Sequence, residues 1–310
     1  MKKALIKIIT SLLMTAIIII SSFVITVYTR GDIDDYILPK GFEETIDNAK
    51  PLRNENAYAR IMTANVLAHY ESWGGTDARR RAKMFLELLD TYSPDVVAMQ
   101  EMCDQWYCAL LKNAKNYRLI YPLSTGTMAR TTGIIYNSDT VDLLDYGQYE
   151  YTKFDEKRVR RIVWGYFQNK ESGEKYIVTS THFNLIRENQ ETESLNIMNT
   201  QADEQVAIAK NLQIQFNCPI FCAGDYNAMD NGGYDNPYFA PTVYDALTVS
   251  LNDTKSYARR TTEGDARDVR KPTQDHIFML GNATIERYSI ISDTVMQEMS
   301  DHYPIFIDVS

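Results

Sequence analysis

Short apolar runs in this chain repeatedly give way to a carboxylate, an amide or an imidazole, and that pattern limits the folds open to it. The residues at the ends of these runs are Asn65, Glu101, His182 with Asn184, Asp225 with Asn227, Asp275, and Asp301 with His302. The runs are of strand length and lack the polar alternation of a one-sided sheet, as in Arg60–Val66, Asp95–Met99, Lys175–Thr181 and Pro219–Ala223. Gly133–Tyr136, Val163–Gln168, Ile277–Leu280, Ile285–Ile291 and Ile305–Val309 also read as strands. Helical periodicity separates some of them. Met84, Phe85, Leu88 and Leu89 share a face over 77–90, and Ala202, Val206, Ala209 and Leu212 share one over 196–212. Another helix is expected over 105–112. No repeat of solenoid length is present. The expectation is one α+β domain over residues 57–310, with two mixed sheets packed face to face and helices outside.

Strand ends and the loops after them are where a rigid sheet can aim side chains into a shared cleft. Carboxylates, amides and imidazoles, without cysteine, are what a hard divalent cation and a phosphate require. Each position also has a plain explanation, because Gly, Asp and Asn favour turns and a lone Glu can cap a helix. Histidine decides between the two. The chain has 4, and His182, His276 and His302 all fall inside these segments, while His69 follows Asn65 by four. Independent turns would not gather the scarce residue so selectively.

The amino-terminal segment sets the compartment. Ile8–Tyr28 is apolar, broken only by Ser and Thr, and Lys2, Lys3 and Lys7 precede it. As a helix it would span ~31 Å, about the hydrocarbon thickness of a bilayer. Basic residues at that end favour a cytoplasmic amino terminus. No small-x-small cleavage pattern follows, so residues 1–30 read as an uncleaved single-pass anchor; a cleaved signal peptide is the competing reading, and both export the remainder. Residues 31–56, acidic and polar, read as a spacer that holds the domain off the membrane. The formal charge of the chain is −9, so the part beyond the anchor's three lysines carries −12. Bulk attraction to nucleic acid is excluded, and a polyanionic substrate would need local basic groups or a metal. The 4 cysteines cannot form a framework that replaces a core. Neither pair has zinc-ligand spacing with histidine partners. A Cys103–Cys108 bridge is left open, although a regular helix would hold those two apart.

Taken together, Met62-Thr63-Ala64-Asn65, Met99-Gln100-Glu101, Ser180-Thr181-His182, Gly224-Asp225-Tyr226-Asn227, Asp275-His276-Ile277-Phe278 and Ser300-Asp301-His302-Tyr303-Pro304 occur in an order that resembles the endonuclease/exonuclease/phosphatase superfamily of metal-dependent, deoxyribonuclease-like phosphoester hydrolases. The resemblance covers about residues 57–310. It implies a four-layer α/β/β/α sandwich with the active site at one edge. It also implies that Glu101 is the principal magnesium ligand, with manganese as an alternative, and that Asn65 and Asp301 lie close to the same metal. Asp225 would orient or deprotonate the attacking water, and Asn227 would donate to the phosphate or that water. His302 would hydrogen-bond the phosphate with Asp275 behind it, and His182 would support the transition state or the leaving group.

Two departures from the family pattern stand out. His276 occupies a place where Tyr or Arg is common, and it should point away from Asp275 as a packing residue. His182-Phe183-Asn184 replaces the usual His-Leu-Asp, which leaves Asn184 without an assigned role. Lys157-Arg158-Val159-Arg160-Arg161 is either a solvated strand end or a phosphate contact. Arg259, Arg260, Arg267, Arg270 and Lys271 form a second basic stretch, and Tyr226, Tyr234, Tyr238 and Tyr303 flank the motifs. The expected partners are a phosphoester, either nucleic acid or a lipid headgroup, and the membrane, with no obligate protein partner evident. The expected activity is a membrane-anchored, extracytoplasmic phosphoester hydrolase, with a nuclease-like substrate slightly favoured over a lipid headgroup. A surface-displayed binding protein that lost the chemistry is the alternative from another class.

Overall fold

The computed structural model describes residues 2–39, 42, 53–68, 78–120, 131–155, 159–229, 240–259, 273–291 and 294–310. The apolar runs form strands that sort into two six-stranded sheets. The first contains β1 (Ala59–Asn65), β2 (Val96–Met102), β3 (Tyr117–Ile120), β4 (Thr131–Asn137), β11 (Ile285–Ile290) and β12 (Ile305–Val309), in the order β11-β12-β1-β2-β4-β3. The second contains β5 (Val141–Glu150), β6 (Arg161–Asn169), β7 (Lys175–His182), β8 (Ile220–Asp225), β9 (Asn252–Asp253) and β10 (Asp275–Leu280), in the order β5-β6-β7-β8-β10-β9. Helices α2 (Ala78–Tyr92) and α3 (Asp104–Asn113) pack on the first sheet, and α4 (Glu191–Phe216) and α5 (Pro241–Thr248) on the second. A short α6 (Thr254–Tyr257) precedes β10. This is the four-layer sandwich expected from the sequence.

Both sheets are built around the same centre. The parallel pair β1–β2 is flanked by antiparallel β12 and β4, and the parallel pair β7–β8 by antiparallel β10 and β6. The carboxyl ends of the four central strands and the amino ends of β10 and β12 therefore meet at one edge. The inner core contains Ile61, Val96, Ala98, Val178, Phe221, Ala223, Ile277 and Ile307, all at most 1% exposed. Met62, Val97 and Met99 face outward against Phe85, Leu88 and Trp106, and Ile177, Cys222 and Phe278 belong to the core cluster that also holds Met198, Ala202 and Leu212. Central strands buried on both faces account for the near-continuous apolar runs.

The sequence reading passed over β3, β5, α5 and the short β9 and α6. β3 and β5 are edge strands, and β5 is half exposed with charged residues along it, which is how edges resist pairing with another chain. α5 is short and starts on Pro241, whose fixed φ suits a first helical position. α4 is longer than expected. Glu191 and Glu193 favour its first turn, and it ends at Asn217 in the left-handed region at φ 50°.

Helix α1 (Lys2–Arg30) contains Ser11–Arg30, long and apolar enough to cross a membrane, with its apolar side chains exposed. In the described part of residues 31–56, several groups lie against the domain while Asp34, Asp35, Ile37, Glu55 and Asn56 are exposed. Arg30 Nη1 meets Asp104 Oδ2 at 2.6 Å, and Lys112 Nζ meets Asp32 Oδ2 at 3.1 Å while lying 4.3 Å from the centre of the Tyr28 ring. Asn113 Nδ2 donates to the Gly31 carbonyl at 2.8 Å. A Cβ on Gly31 would come within 2.3 Å of the Cys108 carbonyl oxygen, so only glycine allows this approach. Ile33 and Phe42 enter the core under α2 and α3. The acidic composition suggested solvation, but Asp32 pairs with a lysine and the apolar residues between the acids find the core.

All four cysteines are free, so no Cys103–Cys108 bridge forms; Cys108 lies within α3, just after Cys103. Burial pushes the Cys222 thiol up to about 11 and that of half-buried Cys218 likewise to about 11. At pH 8 both thiols should be almost wholly protonated and slow to react. An aromatic disulfide reagent should label four thiols after denaturation and none rapidly before it. A denatured count of two would mean that a bridge exists. One buried ion pair offers a direct stability test. Arg60 Nε and Nη2 donate to the two Asp308 carboxylate oxygens at 2.7 and 2.9 Å, with both side chains almost wholly buried. Asp308→Ala strands the guanidinium and should cost ~3–5 kcal/mol in urea unfolding; a loss below about 1 kcal/mol would show that the pair contributes little.

Candidate active site

Strand register assembles one half of the site. Within the second sheet His182 lies opposite Asp225, and Asp225 opposite Asp275, so the three sit at the same level on neighbouring strands β7, β8 and β10. Gly224 lets β8 approach β7 closely, since a Cβ there would fall 2.4 Å from the Thr181 carbonyl oxygen. The first sheet contributes Asn65 and Gln100, which are opposite each other at the ends of β1 and β2. Gln100 stays between the sheets, donating to Ser180 Oγ at 3.2 Å and accepting from Thr63 Oγ1 at 3.3 Å. A bulge then interrupts β2 between Met99 and Met102, and Glu101 turns into the left-handed region at φ 60°. Leu67 at φ 55° and Asn227 at φ 48° share that conformation, so three non-glycine residues at this edge hold an unfavourable backbone geometry.

Asp225, 1% exposed, lies at the centre. Its Oδ2 accepts from Asn65 Nδ2 at 2.9 Å and lies 3.3 Å from His182 Nε2 and 3.9 Å from His302 Nε2. Its Oδ1 accepts from the Asn227 backbone N–H at 2.9 Å. Burial pushes its carboxyl above the usual range, while the His302 charge pulls the other way. His302 Nδ1 pairs with Asp275 Oδ2 at 2.6 Å. Burial disfavours the imidazolium, yet the charges of Asp275, Asp225 and Asp301 outweigh it and hold His302 well above the ordinary histidine value. The site therefore joins a carboxylate made more basic to an imidazolium backed by a second carboxylate.

Glu101 Oε2 accepts from the Ala68 backbone N–H at 3.1 Å. Burial raises its carboxyl, Ala68 opposes this, Asp225 adds to it, Arg160 opposes it and Asp301 adds to it. A buried acid among other carboxylates is what a divalent cation would stabilise, and the oxygen donors present suit magnesium or manganese. Asn65 Oδ1 accepts from Leu67 N–H at 3.1 Å, and Asp301 is exposed beside Ser300. A second set of atoms able to hold a cation also lies close together: one ligand atom each of Asp225, Asp275 and His302, all within 4.8 Å of one another. Those three already hold one another, which fits positioning of reactants better than sequestering an ion.

Several supporting residues escaped the sequence reading because their types carry no signal. Arg81, fully buried on α2, donates to the carbonyls of Val66, Leu67 and Ala68 at 2.9, 2.9 and 3.1 Å. Trp106 Nε1 on α3 donates to the Leu67 carbonyl at 3.0 Å. Together they fix the loop whose Ala68 N–H orients Glu101. Ser300 Oγ donates to the Asn65 carbonyl at 2.7 Å and accepts from the His302 N–H at 3.2 Å, tying the last motif to β1. Asn227 Nδ2 spends one hydrogen on the Phe183 carbonyl at 3.1 Å. His276 packs as expected, stacked on Phe278 with Nε2 at 2.8 Å from the Ala228 carbonyl oxygen.

The basic runs divide. Arg161 binds Glu150 on the neighbouring strand at 2.8 Å, the structural reading of that run. Arg160 is buried and acts on Glu101 as above. Arg259 reaches Glu286 at 2.8 Å. Tyr226 is core and Tyr303 packs at the core margin. Lys157, Arg158, Arg260, Arg267, Arg270, Lys271, Tyr234, Tyr238 and His69 lie outside the described residues.

Solved structures share this architecture. An endonuclease/exonuclease/phosphatase family protein from Bacteroides thetaiotaomicron aligns with a TM-score of 0.66 and 17% identity, over 81% of this chain and 94% of that one. The mannosyl-6-phosphatase of the same organism aligns at 0.63 and 18%, over 81% and 99%. D. rerio TDP2 in complex with a single-strand DNA product aligns at 0.57 and 19%, over 81% and 98%. At these identities the likeness is one of fold. No curated protein sequence matches significantly. The model described as the Endonuclease/Exonuclease/phosphatase family matches residues 62–302, across every element that brings a side chain to this edge, and the chain belongs to that family.

Proposed function

We propose that this chain is a membrane-anchored, divalent-metal-dependent hydrolase of phosphoesters whose catalytic domain, residues 57–310, lies on the extracytoplasmic side. The observation that carries the chemistry is the part-buried Asp275–His302 pair set against Asp225. In this reading Asp225 takes the proton of a water that attacks phosphorus, and burial, which pushes its carboxyl upward, makes it the stronger base for that task. Asn65 and the Asn227 backbone N–H aim its two oxygens. His302 donates from Nε2 to a phosphate oxygen while Asp275 fixes the opposite ring nitrogen. His182, on the other side of Asp225, supports the developing charge or supplies a proton to the leaving oxygen. Glu101, with Asn65 and Asp301, would hold magnesium or manganese, which when bound neutralises charge on the phosphate and the leaving oxygen.

Anchorage rests on the apolar span and the three lysines before it, which favour an extracytoplasmic domain. The structural neighbours include a mannosyl-6-phosphatase and a protein complexed with a single-strand DNA product, which supports a phosphoester substrate without choosing its kind. A nuclease-like phosphodiesterase is the first reading. A lipid-headgroup hydrolase is the second, favoured by the contacts that hold the end of the span against α3.

The full chain in detergent, with Asp225→Ala and His302→Ala, should be assayed against plasmid DNA, RNA, bis-p-nitrophenyl phosphate, sphingomyelin and phosphoinositides, with magnesium and with chelator. Turnover of at least one substrate should vanish with chelator and fall ~10²–10⁴-fold in each variant. Turnover that ignores chelator, or full activity in both variants, would overturn the assigned roles; binding without turnover would favour the binding protein. Asp275→Asn and His302→Ala should be strongly non-additive, the double variant resembling His302→Ala alone, since the pair acts as a unit. Additive losses would separate the two roles.

A further inference from the structure

A cavity of about 390 Å³ opens beside the catalytic edge, lined in part by Arg160, Asn184, Asp155, Leu185 and Glu188. A second, of about 330 Å³, shares Asp155, Asn184, Leu185 and Arg187 with it. An Asp155–Arg187 ion pair stands at their common wall. Each volume falls at the low end of ligand pockets, ~300–1,000 Å³. Asn184 follows His182 by two residues, so the cavity adjoins the side of the site assigned to the leaving group.

Asn184 is held in a fixed orientation. It is 4% exposed, its backbone N–H donates to Gln201 Oε1 at 2.9 Å, and its Oδ1 accepts from Gln201 Nε2 at 2.8 Å. Gln201 is itself fully buried and donates to the Lys153 carbonyl at 3.0 Å. With its oxygen committed to Gln201, the Asn184 amide leaves its Nδ2 donor to the cavity that it lines, where no acceptor among the described residues meets it. Donors from Asn184 and Arg160 thus share this space with the carboxylates of Asp155 and Glu188. A hydroxyl is both donor and acceptor and satisfies both kinds of neighbour. A second phosphate would meet the carboxylates of Asp155 and Glu188 while Arg187, the other cation of this lining, is already paired with Asp155; a flat base finds no aromatic ring among the described residues lining the 390 Å³ cavity and one, Phe154, in the second.

We propose that this cavity is a subsite for a hydroxyl-rich group, a sugar or polyol, esterified to the phosphate that the catalytic edge cleaves, with Asn184 as a specificity residue. The proposal rests on the hydrolase reading and narrows its substrate class. The test uses the full chain with Asn184→Asp, which keeps the oxygen that Gln201 binds and replaces the donor, and with Leu185→Trp, which narrows the mouth from an exposed position. Saturation-transfer NMR with glucose 6-phosphate, myo-inositol 1-phosphate and a thymidine dinucleotide reads binding without turnover. The ratio of kcat/KM for the two polyol esters over p-nitrophenyl phosphate reads specificity. The polyol protons should show contact with the wild type, and both variants should lower the ratio at least tenfold while weakening polyol contact. Preferential contact by the dinucleotide, or an unchanged ratio in both variants, would overturn the subsite. Polyol contact without turnover would leave the subsite standing and sink the hydrolase reading.

Discussion

A carboxylate almost sealed from solvent, placed where two sheets meet, must be solvated by the protein itself. Asp225 is in that position, and the edge is arranged to supply what it needs. The first sheet sends the Asn65 amide, the second sends His182, and the β8 loop returns the Asn227 N–H. The Asn65–Asp225 bond therefore joins the two layers as well as orienting a reactive group. Gln100 and Ser180 make a similar crossing one step deeper, with Ser180 Oγ donating to the Met99 carbonyl at 3.1 Å. Loss of alignment between the sheets would remove both the packing and the site.

The position of this edge follows from the strand directions. A parallel pair at the centre of each sheet sends two carboxyl ends the same way, and the antiparallel neighbours bring back the amino ends of β10 and β12. Six segments far apart in sequence can meet only because the two sheets repeat this arrangement. Val66–Ala68, which follow β1, are held for a different reason. Arg81 and Trp106 take the carbonyls of Val66, Leu67 and Ala68, so the amide facing Glu101 has little freedom.

Much of this was legible in the residue order. Strands buried on both faces leave long apolar runs, and functional groups at their ends interrupt those runs, so Asn65, Glu101, His182, Asp225, Asp275 and His302 stood out. Edge strands β3 and β5 did not, because pairing on one side demands little of side chains. Arg81 was invisible because a buried arginine that binds carbonyls looks, in sequence, like any surface arginine, and Ser300 stood in the last motif without a role. In the segment after the span the acids suggested solvation, and Ile33 and Phe42 among them pack in the core.

The left-handed backbone at Glu101 has a consequence for how such a protein tolerates change. A non-glycine residue there costs ~1–2 kcal/mol, and the chain also keeps an acid out of water at the same point. Glycine would relax both, while giving up the hydrogen bond from Ala68 and the attraction of Arg160. Selection for heat resistance alone would therefore drift toward discarding this acid, and with it the group that the proposed function gives to the metal.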